Sequence, residues 1–202
     1  MPWPWSTGPG RGAARLDAWL PPGAWKLEHH AIEVEAEPAR ALAAMHGVLP
    51  LRDAPVVAAL FALRGIAFRR EMTVREFFGT SPFLVLDEAP GRELVFGVVG
   101  PSRERRGERG PPGVPSSPDD FRAALAAGRM AAIGNFRAEP IPGGARLWTE
   151  TWMFAPGRIE RAAFTAYWLL VGPFSAWIRR ILLRAAARRL RDGAARTDAG
   201  GR

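Results

Sequence analysis

The chain has 202 residues, 48% of them hydrophobic and 24% charged, with 28 Lys+Arg against 20 Asp+Glu and no cysteine. That composition suits one globular domain with ragged ends and excludes global disorder, collagen-like repeats and coiled coils. Without cysteine there is no disulfide framework, thiolate nucleophile or cysteine-ligated metal. Three histidines, His29, His30 and His46, are too few and too clustered for a zinc site, so no cofactor is expected.

Residues 1–25 are rich in proline and glycine and carry Trp3, Trp5, Trp19 and Trp25. They lack a basic start followed by an apolar run, so they make a poor secretory signal. They read as a flexible extension whose tryptophans dock loosely, with a partner- or membrane-binding peptide as the alternative.

The domain proper is expected over residues 26–190. The segment KLEHHAIEVEA at 26–36 alternates, with His30, Ile32, Val34 and Ala36 on one face and Ala31, Glu33 and Glu35 on the other, which predicts a half-buried strand. Pro38 suits a first helical turn and predicts a helix to His46; a second short helix is expected over Pro55 to Leu63, and a helical turn over Thr73 to Phe78. Phe83 to Glu88 and Glu93 to Val99 read as strands. Between them, Ala89-Pro-Gly-Arg92 has proline and glycine where a type II turn wants them. Gly100 to Ser117 is too polar and proline-rich to pack and reads as a mobile loop. Ser117-Pro-Asp-Asp then offers a helix start, with Phe121 and Leu125 as its apolar side. Met130 to Glu139 and Ala145 to Phe154 form the next strand pair.

From Arg158 to about Leu190 one glycine and one proline interrupt an otherwise helix-compatible run. Its first half is apolar. In its second half Ile181, Leu182, Leu183 and Leu190 oppose Arg180, Arg184, Arg188 and Arg191. Ala162 to Ile178 is uncharged and near the roughly 17-residue lower limit for a membrane span. Gly172-Pro173 interrupts it, however, and arginines flank both ends without an inside-outside bias. A long helix packed on a sheet is the better reading, with a basic disordered tail over 191–202. The expected class is therefore α+β: a curved antiparallel sheet wrapped around a long C-terminal helix, with two short helices after the first strand. A cytoplasmic protein is expected, with peripheral membrane association as the alternative.

Several segments resemble uncharacterised bacterial members of the START-like (SRPBCC, helix-grip) superfamily. They are Thr149-Glu150-Thr151, Tyr167-Trp168, Gly172-Pro173-Phe174-Ser175 and Ile178-Arg179-Arg180, with Pro90 to Gly100 and Asn135-Phe136-Arg137 upstream. The resemblance covers about residues 26–190 and implies a helix-grip fold with an internal cavity.

A hairpin turn at Gly143-Gly144 would set Arg137 opposite Glu150 under the long helix. Such a pair could pin register, orient a ligand, or serve as acid and base. His30 shares a face with Ile32 and Val34 and is either a satisfied core residue or a base beside the cavity. Tyr167 and Trp168 are core or lining. The leading expectation is a non-catalytic carrier of an apolar or amphipathic small molecule, lined by His30, Arg137, Glu150, Trp152, Tyr167 and Trp168. A cyclase or dehydratase using His30 or Glu150 as base is the enzymatic alternative.

Residues 179–202 hold eight arginines and two aspartates. They read as a solvated face, or as contact with an anionic membrane through Arg179, Arg180, Arg184 and Arg188. The absence of interleaved aromatic rings argues against nucleic acid.

Overall fold

A computed structural model describes residues 14–47, 59, 72–79, 82–100 and 114–200, with side chains to 195. Five strands form one open antiparallel sheet: β1 (Trp25–Val34), β2 (Leu84–Ala89), β3 (Glu93–Val99), β4 (Ala131–Ile141) and β5 (Gly144–Phe154). Their order is β1-β5-β4-β3-β2. β2 to β5 are sequential neighbours, whereas β1, the first strand in the chain, pairs with β5, the last.

Four α-helices accompany the sheet: α1 (Pro38–Met45), α2 (Val74–Phe78), α3 (Pro118–Ala126) and α4 (Arg158–Gly200). Proline at the first turn of α1 costs no hydrogen bond there, and the helix buries Ala41, Leu42 and Met45. α2 is short, and its start is fixed by a reciprocal cap. The Glu76 amide donates to Thr73 Oγ1 at 3.1 Å, and the Thr73 amide donates to Glu76 Oε2 at 2.7 Å. In α3 the Asp120 amide donates to Ser117 Oγ at 3.1 Å, so the expected Ser-Pro-Asp-Asp helix start is present.

α4 lies across one face of the sheet, and the architecture is the α+β helix-grip arrangement expected. Ile32, Val34, Leu94, Phe96, Phe136, Ala138, Ala145 and Leu147 meet Ile178, Leu182, Leu183 and Ala186 of α4, with Leu42, Met45, Phe77 and Phe78 from the short helices. Pro173 sits inside α4 and leaves the Leu169 carbonyl without its intrahelical donor. Leu169 is solvent-exposed, so water can satisfy that carbonyl. The helix runs to Gly200, past Leu190 where the amphipathic pattern suggests its end. Alanine and arginine dominate residues 184–197, and both are strong helix formers.

The opposite face of the sheet has its own cover. A 3-10 turn over Arg15–Trp19 places Leu16 and Trp19 against Val95, Ile133, Phe121 and Ala124. Residues 14–24, read from sequence as part of a flexible extension, thus belong to the packed domain. Leu16 and Trp19 supply apolar cover that α3 alone is too short to give. Gly97 lies beneath this layer, where a Cβ would stand 2.6 Å from the Phe121 ring.

Three expectations fall partly or wholly outside the described residues: the helix over 55–63 apart from Ala59, the loop over 101–113, and Trp3 and Trp5. The turn at 89–92 is as expected, with Gly91 at φ 70° and the Arg92 amide donating to the Ala89 carbonyl at 2.9 Å.

The β4–β5 register differs from the expectation. Ile141 pairs with Gly144, so Pro142 and Gly143 are the central turn residues, with Gly143 at φ 81°. Proline followed by a left-handed glycine is the type II preference, and it outweighs the glycine pair. Arg137 therefore stands opposite Trp148, and Glu150 opposite Asn135. Both charged side chains lie on the face covered by the 3-10 turn, away from α4.

Candidate functional site

The polar cluster between sheet and long helix begins with a defect in β1. Lys26 pairs with Trp152, but Glu28 pairs with Thr151, because a bulge at Leu27 shifts the register. Residues two apart in a regular strand share a face; across this bulge they do not. Lys26 is directed to the outer face, where its Nζ lies 2.8 Å from Glu150 Oε2, while Glu28 turns inward beneath α4.

There Glu28 is fully buried and hydrogen-bonded on both carboxylate oxygens. Its Oε1 accepts from Arg179 Nε at 2.7 Å, Ser175 Oγ at 2.6 Å and Thr151 Oγ1 at 3.2 Å. Its Oε2 stands 3.3 Å from His30 Nε2. Arg179 Nη1 also donates to Thr149 Oγ1, which in turn donates to the Asn135 carbonyl at 2.6 Å. The guanidinium lies 5.8 Å from the Phe96 ring centroid.

Burial by itself would raise the Glu28 carboxyl. The Arg179 charge, then the His30 and Ser175 hydrogen bonds, outweigh it and hold the group below its ordinary value. Burial lowers the Arg179 guanidinium, opposed by Glu28. The pair is thus ionised in a low-dielectric interior. Glu28 stands between Ser175 and His30, touching one with each oxygen. Activating a serine by a histidine requires the imidazole in the middle, so this order favours anchoring over nucleophilic catalysis.

An aromatic wall adjoins the cluster. Phe78, Phe96 and Phe136 form a triangle with centroids 4.0 to 5.1 Å apart, continued by Phe77 and Phe83. Nearby, His46 is half-buried with its ring edge toward Phe136, and burial pushes its imidazole down to about 4.

The outer face carries a second polar group. Glu93, almost fully buried, accepts from the backbone amides of Arg15 at 2.9 Å and Leu16 at 3.3 Å, and from Asn135 Nδ2 at 2.7 Å. Arg137 Nη1 lies 3.4 Å from its Oε2. Arg137 and Lys26 also stand over Trp148 and Trp152, at 5.3 and 5.1 Å from the ring centroids.

The sheet therefore separates the residues expected to line one cavity. His30 lies on the helix-facing side, and Trp168 is buried against Leu27 and Met153 at one end of the sheet. Arg137, Glu150 and Trp152 share the outer face, where Glu150 and Trp152 flank Lys26 and Arg137 stands over Trp148, and Tyr167 is exposed on α4. Glu28, Thr149, Thr151, Ser175 and Arg179 were missed. For Arg179 a signal existed: Gly172, Ala176, Arg179, Leu183 and Ala186 recur at helical spacing, and all are buried. A cation on such a stripe implies a buried anion. Arg179 is accordingly unavailable for the membrane contact expected of it.

Among the described residues, no group of three or more His, Cys, Asp or Glu side chains is placed to hold a metal ion. No protein-family model and no curated protein matches the chain. One solved structure, an uncharacterised protein from Rhizobium leguminosarum, is similar at 15% identity and a TM-score of 0.35. The match covers 82% of this chain and 95% of that one.

Proposed function

We propose that the protein is a non-catalytic binding or carrier protein of the START-like type, taking an apolar or amphipathic small molecule between the sheet and α4. The observation that carries this reading is the junction of the phenylalanine wall with the Arg179, Thr149 and His30 cluster. An apolar wall ending in a few fixed polar groups suits a lipid-like or polyketide-like chain with a polar head. The cyclase or dehydratase alternative has less support. Each candidate base is already engaged, His30 with Glu28 Oε2 at 3.3 Å and Glu150 with Lys26 at 2.8 Å.

Titration of the full chain with a fluorescent long-chain fatty acid and with anilinonaphthalene sulfonate tests the proposal. Saturable binding of one probe per chain, displaced by an unlabelled long-chain acid, is the expected result. Folded protein that binds neither probe saturably would overturn it.

A further inference from the structure

Among the described residues, the first half of α4 exposes a largely apolar face. Ile159, Tyr167, Leu169, Leu170 and Phe174 are between 42% and 75% exposed. No charged residue occurs between Ala162 and Ile178. Single exposed leucines are ordinary, but large apolar side chains exposed together on one face of a helix mark an interaction site. At about 100° per residue, Ile159, Tyr167, Leu170 and Phe174 fall in one stripe. Continued along the helix, the same stripe reaches Arg184, Arg188 and Arg191, all exposed. One face of one helix thus changes from apolar to cationic along its length. Asp192 is the only carboxylate among the described side chains of residues 179–195.

We infer that this face docks onto an anionic lipid bilayer, with the apolar stretch entering the interface and the arginines engaging lipid phosphates. Among the described residues no helix is long and apolar enough to cross a membrane, so the geometry is that of a helix lying on the surface. Charge decides between a bilayer and a second copy of the chain. A two-fold pairing of these stripes in the antiparallel sense lays Arg184, Arg188 and Arg191 on the apolar Ile159-to-Tyr167 stretch of the other copy. The parallel sense brings them against one another. Neither arrangement offers the arginines an anion on the facing stripe, whereas an anionic bilayer complements them and its interface accepts the apolar stretch. This inference does not rest on the carrier reading.

Flotation of the full chain with vesicles of phosphatidylcholine alone, or with about 30% phosphatidylglycerol added, tests it. The chain should float with the anionic vesicles and much less with the neutral ones. L170E/F174E and R184E/R191E should each reduce partitioning at least about tenfold while leaving the thermal melt unchanged, since all four positions are exposed. Because the chain has no cysteine, Leu170→Cys carries a single environment-sensitive dye, whose emission should shift to the blue with anionic vesicles only. Equal binding to both vesicle types, or R184E/R191E that binds like wild type, would overturn the inference. A chain that ignores vesicles but sediments as a dimer dissolved by L170E/F174E would overturn it in favour of a second copy.

Discussion

Glu28 and Arg179 lie 151 residues apart and meet at 2.7 Å, tying the first strand to the last helix. The contact spans almost the whole domain, and both partners are buried. Removing one leaves an uncompensated charge, at a cost of about 3–5 kcal/mol. Glu28→Ala and Arg179→Ala should each destabilise by that amount in chemical denaturation. The double change should cost clearly less than their sum, because it leaves no orphan charge. Single changes each below about 1 kcal/mol would show that the pair is solvated.

A pH dependence follows from His46. Its folded-state value of about 4 lies below the ordinary imidazole value, so the unfolded chain binds the extra proton first on acidification. Stability should be full above about pH 6.5 and fall by roughly 2–3 kcal/mol as pH drops toward 4. Glu28 adds a further loss at lower pH, since a carboxyl held below its ordinary value withdraws its contribution as it protonates. Urea melts of wild type and His46→Gln between pH 7 and 4 check the sign. The variant should flatten the upper part of the slope; an unchanged slope would assign it to another group.

Glu93 should hold the N-terminal cover in place. Its carboxylate accepts the backbone amides of Arg15 and Leu16, the first residues of the 3-10 turn. Hydrogen bonds to a charged group are worth about 1.5–3 kcal/mol each way. Glu93→Ala should destabilise by roughly that amount and speed hydrogen exchange at Arg15 to Trp19 ahead of the sheet. Uniform exchange across the domain would contradict a local anchoring role.

Gly97→Ala tests the packing under that cover. The new methyl group would meet the Phe121 ring at 2.6 Å and Leu86 at 2.9 Å, and Phe121 is fully buried. Overpacking of this kind costs about 1–3 kcal/mol. Combining it with Phe121→Leu should recover part of the loss. A neutral Gly97→Ala would mean that α3 shifts freely on the sheet.

The element types were legible in the chain itself because their signals are local. Alternation marked β1, Pro38 and Ser117 marked helix starts, and Pro90-Gly91 marked a turn whose backbone needs a left-handed second residue. The long apolar-then-amphipathic run of α4 marked a helix, and Gly172-Pro173 with flanking arginines favoured a helix packed on a sheet rather than a membrane span. Tertiary structure decided what depends on register and on which face meets which layer. One residue of turn placement moved Glu150 from Arg137 to Asn135, because Pro142-Gly143 and Gly143-Gly144 are both turn signals and the packed strands adopt the first. The bulge at Leu27 sent Lys26 and Glu28 to opposite faces, which strict alternation cannot express. Arg179 looked like one more cation in a basic tail until the helix was laid on the sheet. Its fate was set by Glu28, a partner more than a hundred residues away, and only the packed fold brings such residues together.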